Sequence, residues 1–504
     1  MDMFSDILLG VATALQPTNL IYCFVGVFLG TAIGVLPGIG ALTATSVLLP
    51  VTFYLEPTTA LVMLAGVFYG AEYGGSTASI LLNLPGTASN AITCLDGYPM
   101  AKNGRAGVAL LTTTLVSFFG GTVGIVMLMA LSPAVASLTY AFGPQEYTAL
   151  MIFALVASST ITPGSALKGI GMVMVGLLLG TVGMEIGSGI PRYTFGQLQL
   201  MDGLNLVPIA IGLFGVAEII FSVNSADRDL PNQKITLRSM IPSRDDLRHT
   251  WKPMLRGTAV GGILGPLPGT GQLMASFVAY AVEKKIAKVP SRFGKGAIEG
   301  IAAPEAANNA AVQTSFIPTL TMGIPGSATM VIILAAMMIH GIVPGPRLMV
   351  NSPDLFWGLA ISFWIGNFML LVLNIPLIGL WVRLLQIPYR LLYPAIIVLV
   401  CIGAFAVTND AFSVFAVLFF GIAGYCFRIL GFQPAPLLLG FILGPMLEEN
   451  FRRSMTLTRG DYSSFFTNPI SGVILGLTLA WLVWTAISGL RSLINLRRVG
   501  GSAN

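Results

Sequence analysis

The residues of this chain that are best suited to chemistry cluster around four Pro-Gly pairs. Two pairs lie in the motif G-x-L-P-G-x-G, at positions 34–40 and 265–271. Each motif is followed by a further pair, in L-P-G-T-A-S at 84–89 and in I-P-G-S-A-T at 324–329. Proline removes a backbone N–H donor and glycine removes the side chain, so each pair is expected to interrupt a helix.

A helix that is interrupted inside a membrane exposes backbone groups that can bind ions. Free N–H groups at its N-terminal ends carry about half a positive charge and suit a carboxylate, whereas carbonyls at its C-terminal ends suit Na⁺. Lipid tolerates such a break only where the freed backbone is buried in protein or lines a watery cavity. Paired interruptions at matching places in two halves therefore predict the substrate site of a transporter.

The same regions supply the side chains that we predict to form the site. Short hydroxyl and amide groups add neutral donors and acceptors, and two glutamates each lie shortly before a later Pro-Gly pair. The predicted substrate-binding residues are Pro37, Gly38, Gly40, Pro85, Gly86, Thr87, Ser89, Pro268, Gly269, Thr270, Gly271, Asn308, Asn309, Pro325, Gly326, Ser327 and Thr329. The candidates for ion coupling are Glu72, Ser76, Thr77 and Glu305.

Two alternative interpretations of these residues stay open. The glutamates could cap broken helices instead of binding a proton or cation. The small residues could also serve only to let helices pack closely, as they often do in membranes.

The composition predicts an all-α polytopic membrane protein. The 504 residues are 55% hydrophobic and only 9% charged, and their mean hydropathy is +0.83, whereas soluble proteins carry about 25% charged residues. Apolar runs recur along the chain, and we expect about 11 to 13 membrane segments. The net charge of +5 lies mainly in loops, which indicates membrane topology and no nucleic-acid partner.

The sequence does not support an enzyme, a cofactor or a metal site. The four cysteines are scattered without metal-ligand spacing, and only two histidines occur, so the zinc motif H-E-x-x-H is impossible. Neither the hydrolase motif G-x-S-x-G nor the nucleotide-binding motif G-x-x-x-x-G-K-[ST] is present.

Charge distribution predicts the domain organisation. We expect a first membrane repeat at 1–221, a basic cytoplasmic connector at 222–256, a second membrane repeat at 257–490 and a cytoplasmic tail at 491–504. No Lys or Arg precedes Lys102, so the first repeat can begin outside while the second begins inside. The two repeats would then have inverted topologies, as in many secondary transporters.

The apolar run at 257–282 lies between two basic loops, although a single span would place one of them outside. A re-entrant hairpin that turns at 267–271 removes the conflict. One exception to the positive-inside rule is the alternative.

Taken together, the motifs resemble the large membrane subunit, TctA, of the tripartite tricarboxylate transporters. The resemblance rests on G-V-L-P-G-I-G with L-P-G-T-A-S, on G-P-L-P-G-T-G with P-E-A-A-N-N-A and I-P-G-S-A, and on D-G-Y-P-M at 96–100 and G-I-V-P-G-P at 341–346. It implies a bacterial inner-membrane protein that works with a small membrane subunit and a periplasmic solute-binding protein. It also implies import of tricarboxylates, dicarboxylates or related acids, driven by an ion gradient of Na⁺ or H⁺.

We therefore predict a secondary transporter with alternating access, in which the four Pro-Gly regions converge and a core moves against a scaffold. Because the chain ends soon after its last predicted span, a separate small subunit is expected. A carboxylate-permeable channel and a membrane assembly subunit without its own substrate site are the alternatives. An intramembrane enzyme would need a nucleophile–base or metal pair that the motifs do not offer.

Overall fold

The structure, a computed structural model, describes residues 3–161, 165–185, 187–222, 235–268, 271–385, 387 and 389–500. Its secondary structure is almost entirely helical. The first ten helices are α1 (Met3–Ala14), α2 (Pro17–Val35), α3 (Gly40–Thr52), α4 (Pro57–Leu82), α5 (Cys94–Met100), α6 (Ala106–Thr139), α7 (Pro144–Ile161), α8 (Ala166–Gly180), α9 (Leu206–Ala210) and α10 (Ala217–Ser222).

The later helices follow the central connector. They are α11 (Arg244–Leu264), α12 (Gly271–Ile286), α13 (Glu299–Thr314), α14 (Phe316–Met322), α15 (Ala328–Ile339), α16 (Leu348–Asn351), α17 (Pro353–Asn374), α18 (Ile378–Leu384), α19 (Tyr389–Thr408), α20 (Ala411–Ile429), α21 (Ala435–Leu457), α22 (Ser464–Thr467) and α23 (Pro469–Gly500). Strands β1 (Gly183–Met184) and β2 (Pro191–Arg192) form a short antiparallel pair, with Gly183 opposite Arg192.

The helices confirm a multi-pass membrane protein. Among the described residues, five segments are long and apolar enough to cross a bilayer: Pro17–Val35, Cys94–Thr139, Pro353–Asn374, Ala411–Ile429 and Pro469–Ile487. Shorter apolar helices of 10–17 residues accompany them, including α3, α8 and α15. A full span needs about 20 apolar residues, and these three helices are shorter than that.

The chain divides into two compact units that cut across the predicted halves. Unit 1 comprises Met1–Thr139 and Asn205–Cys426, and unit 2 comprises Tyr140–Leu204 and Phe427–Asn504. Unit 2 takes one stretch from each half of the chain, whereas the second stretch of unit 1 begins at Asn205, in the first predicted repeat, and continues into the second.

Within unit 1, the same glycine-mediated packing occurs twice. Three glycines spaced four residues apart on α2 face the α4 backbone. Three with the same spacing, two on α11 and Gly265 directly after its end, face the α13 backbone, so a Cβ on any of the six would collide with the facing backbone. This spacing places the glycines on one helix face and lets the two backbones approach closely. The facing pairs are Gly26–Met63, Gly30–Val67, Gly34–Ala71, Gly257–Ala303, Gly261–Ala307 and Gly265–Ala311.

Both G-x-L-P-G-x-G motifs interrupt the helical chain. In the first half α2 ends at Val35 and α3 begins at Gly40. Gly38 and Gly40 have φ angles of +85° and +71°, a region that glycine adopts without a steric cost. In the second half α11 ends at Leu264 and α12 begins at Gly271.

The chain turns back between α11 and α12. The Arg256 guanidinium donates hydrogen bonds of 2.5 and 2.7 Å to the two carboxylate oxygens of Glu283, 27 residues later. A continuous helix would separate these residues by about 40 Å. The two helices therefore form a hairpin, the arrangement that the flanking basic loops favour.

The predicted connector is partly helical. Residues 223–234 lie outside the described chain, but α11 already begins at Arg244, inside the predicted boundary at 256. Ser243 and Asp246 form a capping box, in which the Ser243 hydroxyl accepts the Asp246 N–H at 3.1 Å and the Asp246 carboxylate accepts the Ser243 N–H at 2.9 Å. Arg105 also donates to Asp246, at 2.5 Å.

Unit 2 is a helical assembly in which α7 packs against α8, α21 and α23, and α8 packs against α21. One end carries a charged network. Arg192 on β2 donates hydrogen bonds of 2.9 and 3.1 Å to Glu448, and Arg452 pairs with both Glu448 and Glu185. Hydrogen bonds from Ser188 and then from Arg452 hold the pKa of the Glu185 carboxyl below its usual range.

Candidate functional site

The two predicted ion-coupling glutamates lie in unit 1, where α4 crosses α13. Glu72 on α4 is 3% exposed, and Glu305 on α13 is 1% exposed. The two helices run in opposite directions at the crossing, because Glu72 contacts Asn308 whereas Ser76, one turn later, contacts Glu305.

Three neutral side chains donate hydrogen bonds to the same carboxylate oxygen of Glu72, Oε2. They are the hydroxyls of Ser89 at 2.5 Å and of Thr87 at 2.9 Å, and the amide of Asn308 at 2.9 Å. Thr87 and Ser89 follow the Pro-Gly pair at 85–86, so this break delivers donors to the first glutamate.

Glu305 is surrounded in the same way. Its Oε1 accepts the Thr93 hydroxyl at 2.5 Å and the Asn90 amide at 3.1 Å. Its Oε2 accepts the Ser76 hydroxyl at 2.6 Å and that of Ser117 at 3.4 Å. The segment after Pro85-Gly86 therefore contacts both glutamates.

Oxygen contacts around Thr87 outnumber the hydroxyl protons available to them. The Thr87 hydroxyl oxygen lies 2.9 Å from Glu72, 2.8 Å from Ser89 and 2.5 Å from the side-chain oxygen of Asn90, and Ser89 also contacts Glu72. Thr87 and Ser89 supply one hydroxyl proton each. The Asn90 amide nitrogen cannot help here, because it is directed toward Ser76 and Glu305. This cluster can therefore accommodate an additional proton or a small cation.

Neither glutamate has a basic partner in the described part of the chain, where the ion pairs lie elsewhere. The described residues also contain no group of three or more His, Cys, Asp or Glu side chains that could hold a metal ion. The side-chain oxygen of Asn308 is buried without a hydrogen-bond partner among the residues that the structure describes, although its amide nitrogen contacts Glu72.

The Pro-Gly motifs meet in pairs within each half of unit 1. A Cβ on Gly86 would collide with the carbonyl oxygen of Gly34, and a Cβ on Gly326 would lie 3.0 Å from that of Gly265. Gly40 also faces the Gly86 carbonyl, at 3.6 Å from an added Cβ. Glycine at 86 and 326 thus permits the same close contact twice.

Several predicted residues lie beside this network without joining its hydrogen bonds. The Asn309 amide donates to the backbone of Glu305, and the Ser327 hydroxyl accepts the N–H of Met330 and caps α15. Thr77 and Thr329 are buried. The remaining predicted positions form the motif backbones: Pro37, Pro268, Gly271 and Pro325 are buried, Gly38 and Pro85 are half-buried, and Gly269 and Thr270 lie outside the described residues.

Sequence reasoning missed three donors to Glu305: Asn90, Thr93 and Ser117. Asn90 and Thr93 lie shortly after the predicted Thr87 and Ser89. The polar residues that recur every few positions in this segment were a sequence signal for both donors. Ser117 lies on α6, which packs against α13, and nothing in its local sequence marks it.

Comparisons with known proteins identify the family of the chain. The profile of the Tripartite tricarboxylate transporter TctA family matches residues 20–439. The chain belongs to this family. It is also 50% identical over 493 residues to an Agrobacterium vitis protein described as "Uncharacterized 52.8 kDa protein in TAR-I ttuC' 3'region", covering 98% of both chains.

A second relative of this TctA-family chain comes from the same organism. It is described as "Uncharacterized protein in TAR-II ttuC' 3'region" and is 52% identical over 232 residues, which cover 46% of the present chain and 96% of the relative. No solved structure matches the chain. Family membership makes the chain a membrane subunit of a tricarboxylate transporter system and supports a transport role, not an enzymatic one.

Proposed function

We propose that this subunit translocates carboxylates by ion-driven alternating access, and that Glu72 and Glu305 form its coupling-ion site. The observation that carries the proposal is a pair of buried carboxylates that, within the described part of the chain, contact only neutral donors. A buried carboxylate that stays charged without a cationic partner is costly. A bound proton or cation would remove that cost, and ionisable residues inside a membrane commonly mark ion pathways.

Both Na⁺ and H⁺ suit this site chemically. The carboxylate, hydroxyl and amide oxygens at 72, 87, 89 and 90 are the kind of ligand that hard cations prefer, and either carboxylate can carry a proton. The excess of oxygen contacts over protons around Thr87 fits either ion.

The substrate is proposed to be a tricarboxylate or dicarboxylate bound near the second-half Pro-Gly pair. Pro325 and Gly326 lead directly into α15, whose N-terminal N–H groups suit a carboxylate. Ser327 accepts a backbone N–H there, which leaves its own hydroxyl proton for a ligand. This assignment does not require a Lys or Arg side chain to bind the carboxylate.

Alternating access would rest on two repeats of inverted topology. The glycine contacts of α2 with α4 recur between α11 and α13, and the corresponding helices α4 and α13 run in opposite directions where they cross. Movement of a core against a scaffold would expose the site to each side in turn.

The proposed setting is a bacterial inner membrane, with the central connector and the C-terminus in the cytoplasm. Basic residues of the connector and of the C-terminal end of α23 (Arg491, Arg497 and Arg498) support this orientation. A small membrane subunit and a periplasmic solute-binding protein would complete the transporter, in keeping with the tripartite family.

Uptake of labelled citrate and smaller carboxylates tests the proposal. Cells would express the chain with its small subunit and binding protein, with Na⁺ and pH gradients imposed separately. We expect saturable uptake that needs a gradient of one ion and shows counterflow exchange. Uptake that depends on neither gradient and shows no counterflow exchange would instead indicate a channel.

A further inference from the structure

The buried carboxylate of Asp96 accepts five hydrogen bonds from another part of unit 1. Its Oδ1 accepts four consecutive backbone N–H groups, those of residues 294–297, at 2.8–3.1 Å. Its Oδ2 accepts the Tyr280 hydroxyl at 3.0 Å. Asp96 is fully buried, and a Cβ on Gly300 would collide with its carboxylate.

The loop at 294–297 is shaped to bind an anion. Gly294 and Gly296 have φ angles of +82° and +98°, which let successive N–H groups point to one place. The loop also leads directly into α13, whose N-terminal end favours a negative charge. The carboxylate that fills this loop comes from α5, about 200 residues earlier in the chain.

The segment that carries Asp96 also supplies donors to the glutamates. Asn90 and Thr93, which donate to Glu305, lie six and three residues before Asp96. Glu305 itself lies on α13, the helix that begins just after the 294–297 loop. The segment is therefore attached to α13 at two places, by Asp96 at the helix start and by Asn90 and Thr93 within the helix.

We propose that Asp96 is a positioning residue for the coupling-ion site. By binding the 294–297 loop, it holds Asn90 and Thr93 at hydrogen-bond distance from Glu305. Loss of this attachment would lower the affinity for the coupling ion, although Asp96 does not contact the ion. The ion-affinity part of this inference rests on the proposed function, whereas the attachment itself can be tested independently.

The test uses the full chain with its partner subunits and three variants. Asp96→Asn keeps the shape but removes the charge, Asp96→Ala removes the acceptor, and Gly300→Ala displaces the carboxylate without changing it. Asp245→Asn is the matched control, because the Asp245 side chain is 79% exposed. The measurements are the coupling-ion concentration at half-maximal uptake, the maximal rate, and the rate of Cys94 modification by N-ethylmaleimide, followed by mass spectrometry.

Cys94 is a suitable reporter because it is a buried free thiol two residues from Asp96. We expect Asp96→Asn and Gly300→Ala to raise the half-maximal ion concentration about tenfold, because charge-assisted hydrogen bonds are the stronger ones, with a maximal rate close to that of the unmodified chain. Cys94 should react faster in both variants and fastest in Asp96→Ala. The Asp245→Asn control should match the unmodified chain.

Folded Asp96 and Gly300 variants with unchanged ion dependence and unchanged Cys94 reactivity would overturn the proposal. A fall in maximal rate alone, with the half-maximal ion concentration preserved, would also overturn the positioning role. If uptake by the unmodified chain depends on neither Na⁺ nor pH, the proposed function is wrong, and so is the proposed effect of Asp96 on ion affinity. Cys94 reactivity would then still decide whether Asp96 holds the segment.

Discussion

The two halves of unit 1 share their helix packing but differ in the residues that follow the later Pro-Gly pair. Gly34 meets Gly86 in the first half as Gly265 meets Gly326 in the second. After Gly86, however, the chain presents polar groups to Glu72 and Glu305, whereas after Gly326 it continues into the regular helix α15. The positions that correspond to Asn90 and Thr93 are Met330 and Ile333.

This difference distinguishes the residues that the helix packing requires from the residues that the proposed ion binding requires. Glycines and breaks that build the fold occur in both halves. Asn308 aside, the hydroxyl and amide donors to the glutamates come from the first half. The proposed function therefore places ion binding mainly at the first-half break and the substrate at the second-half break.

The shared packing predicts that substitutions of equivalent glycines in the two halves reduce uptake equally strongly. Replacing Gly86 or Gly326 by leucine should abolish uptake, because neither contact leaves room for a side chain. Membrane insertion should persist, as measured by the amount of chain in purified membranes. Gly379→Leu is the control, since an added Cβ there meets nothing within 4 Å. Normal uptake by either variant would contradict the proposal that the two glycine contacts are equivalent.

The chemical difference predicts a smaller and more specific effect at Thr93. Thr93→Val keeps the shape but removes a 2.5 Å hydrogen bond to Glu305. Because hydrogen bonds to charged groups contribute about 1.5–3 kcal/mol, we expect the half-maximal ion concentration to rise about tenfold or more. The substrate KM at saturating ion should change little.

Thr113→Val makes the same chemical change at a buried threonine whose hydroxyl contacts the backbone of its own helix. It should leave the ion dependence unchanged. An equal shift in both valine variants would show that the Thr93 effect is not specific to Glu305.

The smallest effect is expected at Ser327 in the second half. Ser327→Ala removes the hydroxyl that caps α15 and, in our proposal, donates to the substrate. A single neutral hydrogen bond contributes about 1 kcal/mol, so the carboxylate KM should rise about fivefold at constant ion dependence. A shift in the half-maximal ion concentration would contradict the division between the halves.

The sequence predicted the breaks because proline and glycine have strong local effects on a helix. Glu72, Ser76 and Glu305 were predicted as ion-coupling residues, and Thr87, Ser89 and Asn308 as substrate-binding residues. The structure brings these six side chains together in one network. The basic loops on both sides favoured a hairpin between α11 and α12, with an exception to the positive-inside rule as the alternative.

Other features depend on contacts between distant segments and left no local pattern. Ser117 joins the site only because α6 packs on α13. Asp96 was noticed only as part of a motif, since its partners lie about 200 residues later. The division into two units was also not predicted from the sequence, because hydrophobic runs show where helices lie but not which helices pack together.

The central claim is that Glu72 and Glu305 bind the coupling ion, and transport in liposomes tests it most directly. The complete transporter would be reconstituted with Glu72→Gln or Glu305→Gln, and with Glu449→Gln as an exposed control. Accumulation under an imposed Na⁺ or pH gradient would be compared with substrate exchange in the absence of any gradient. We predict that both site variants lose accumulation, and that their remaining exchange no longer depends on Na⁺ or pH. Gradient-driven accumulation at the control level in both variants would contradict the claim.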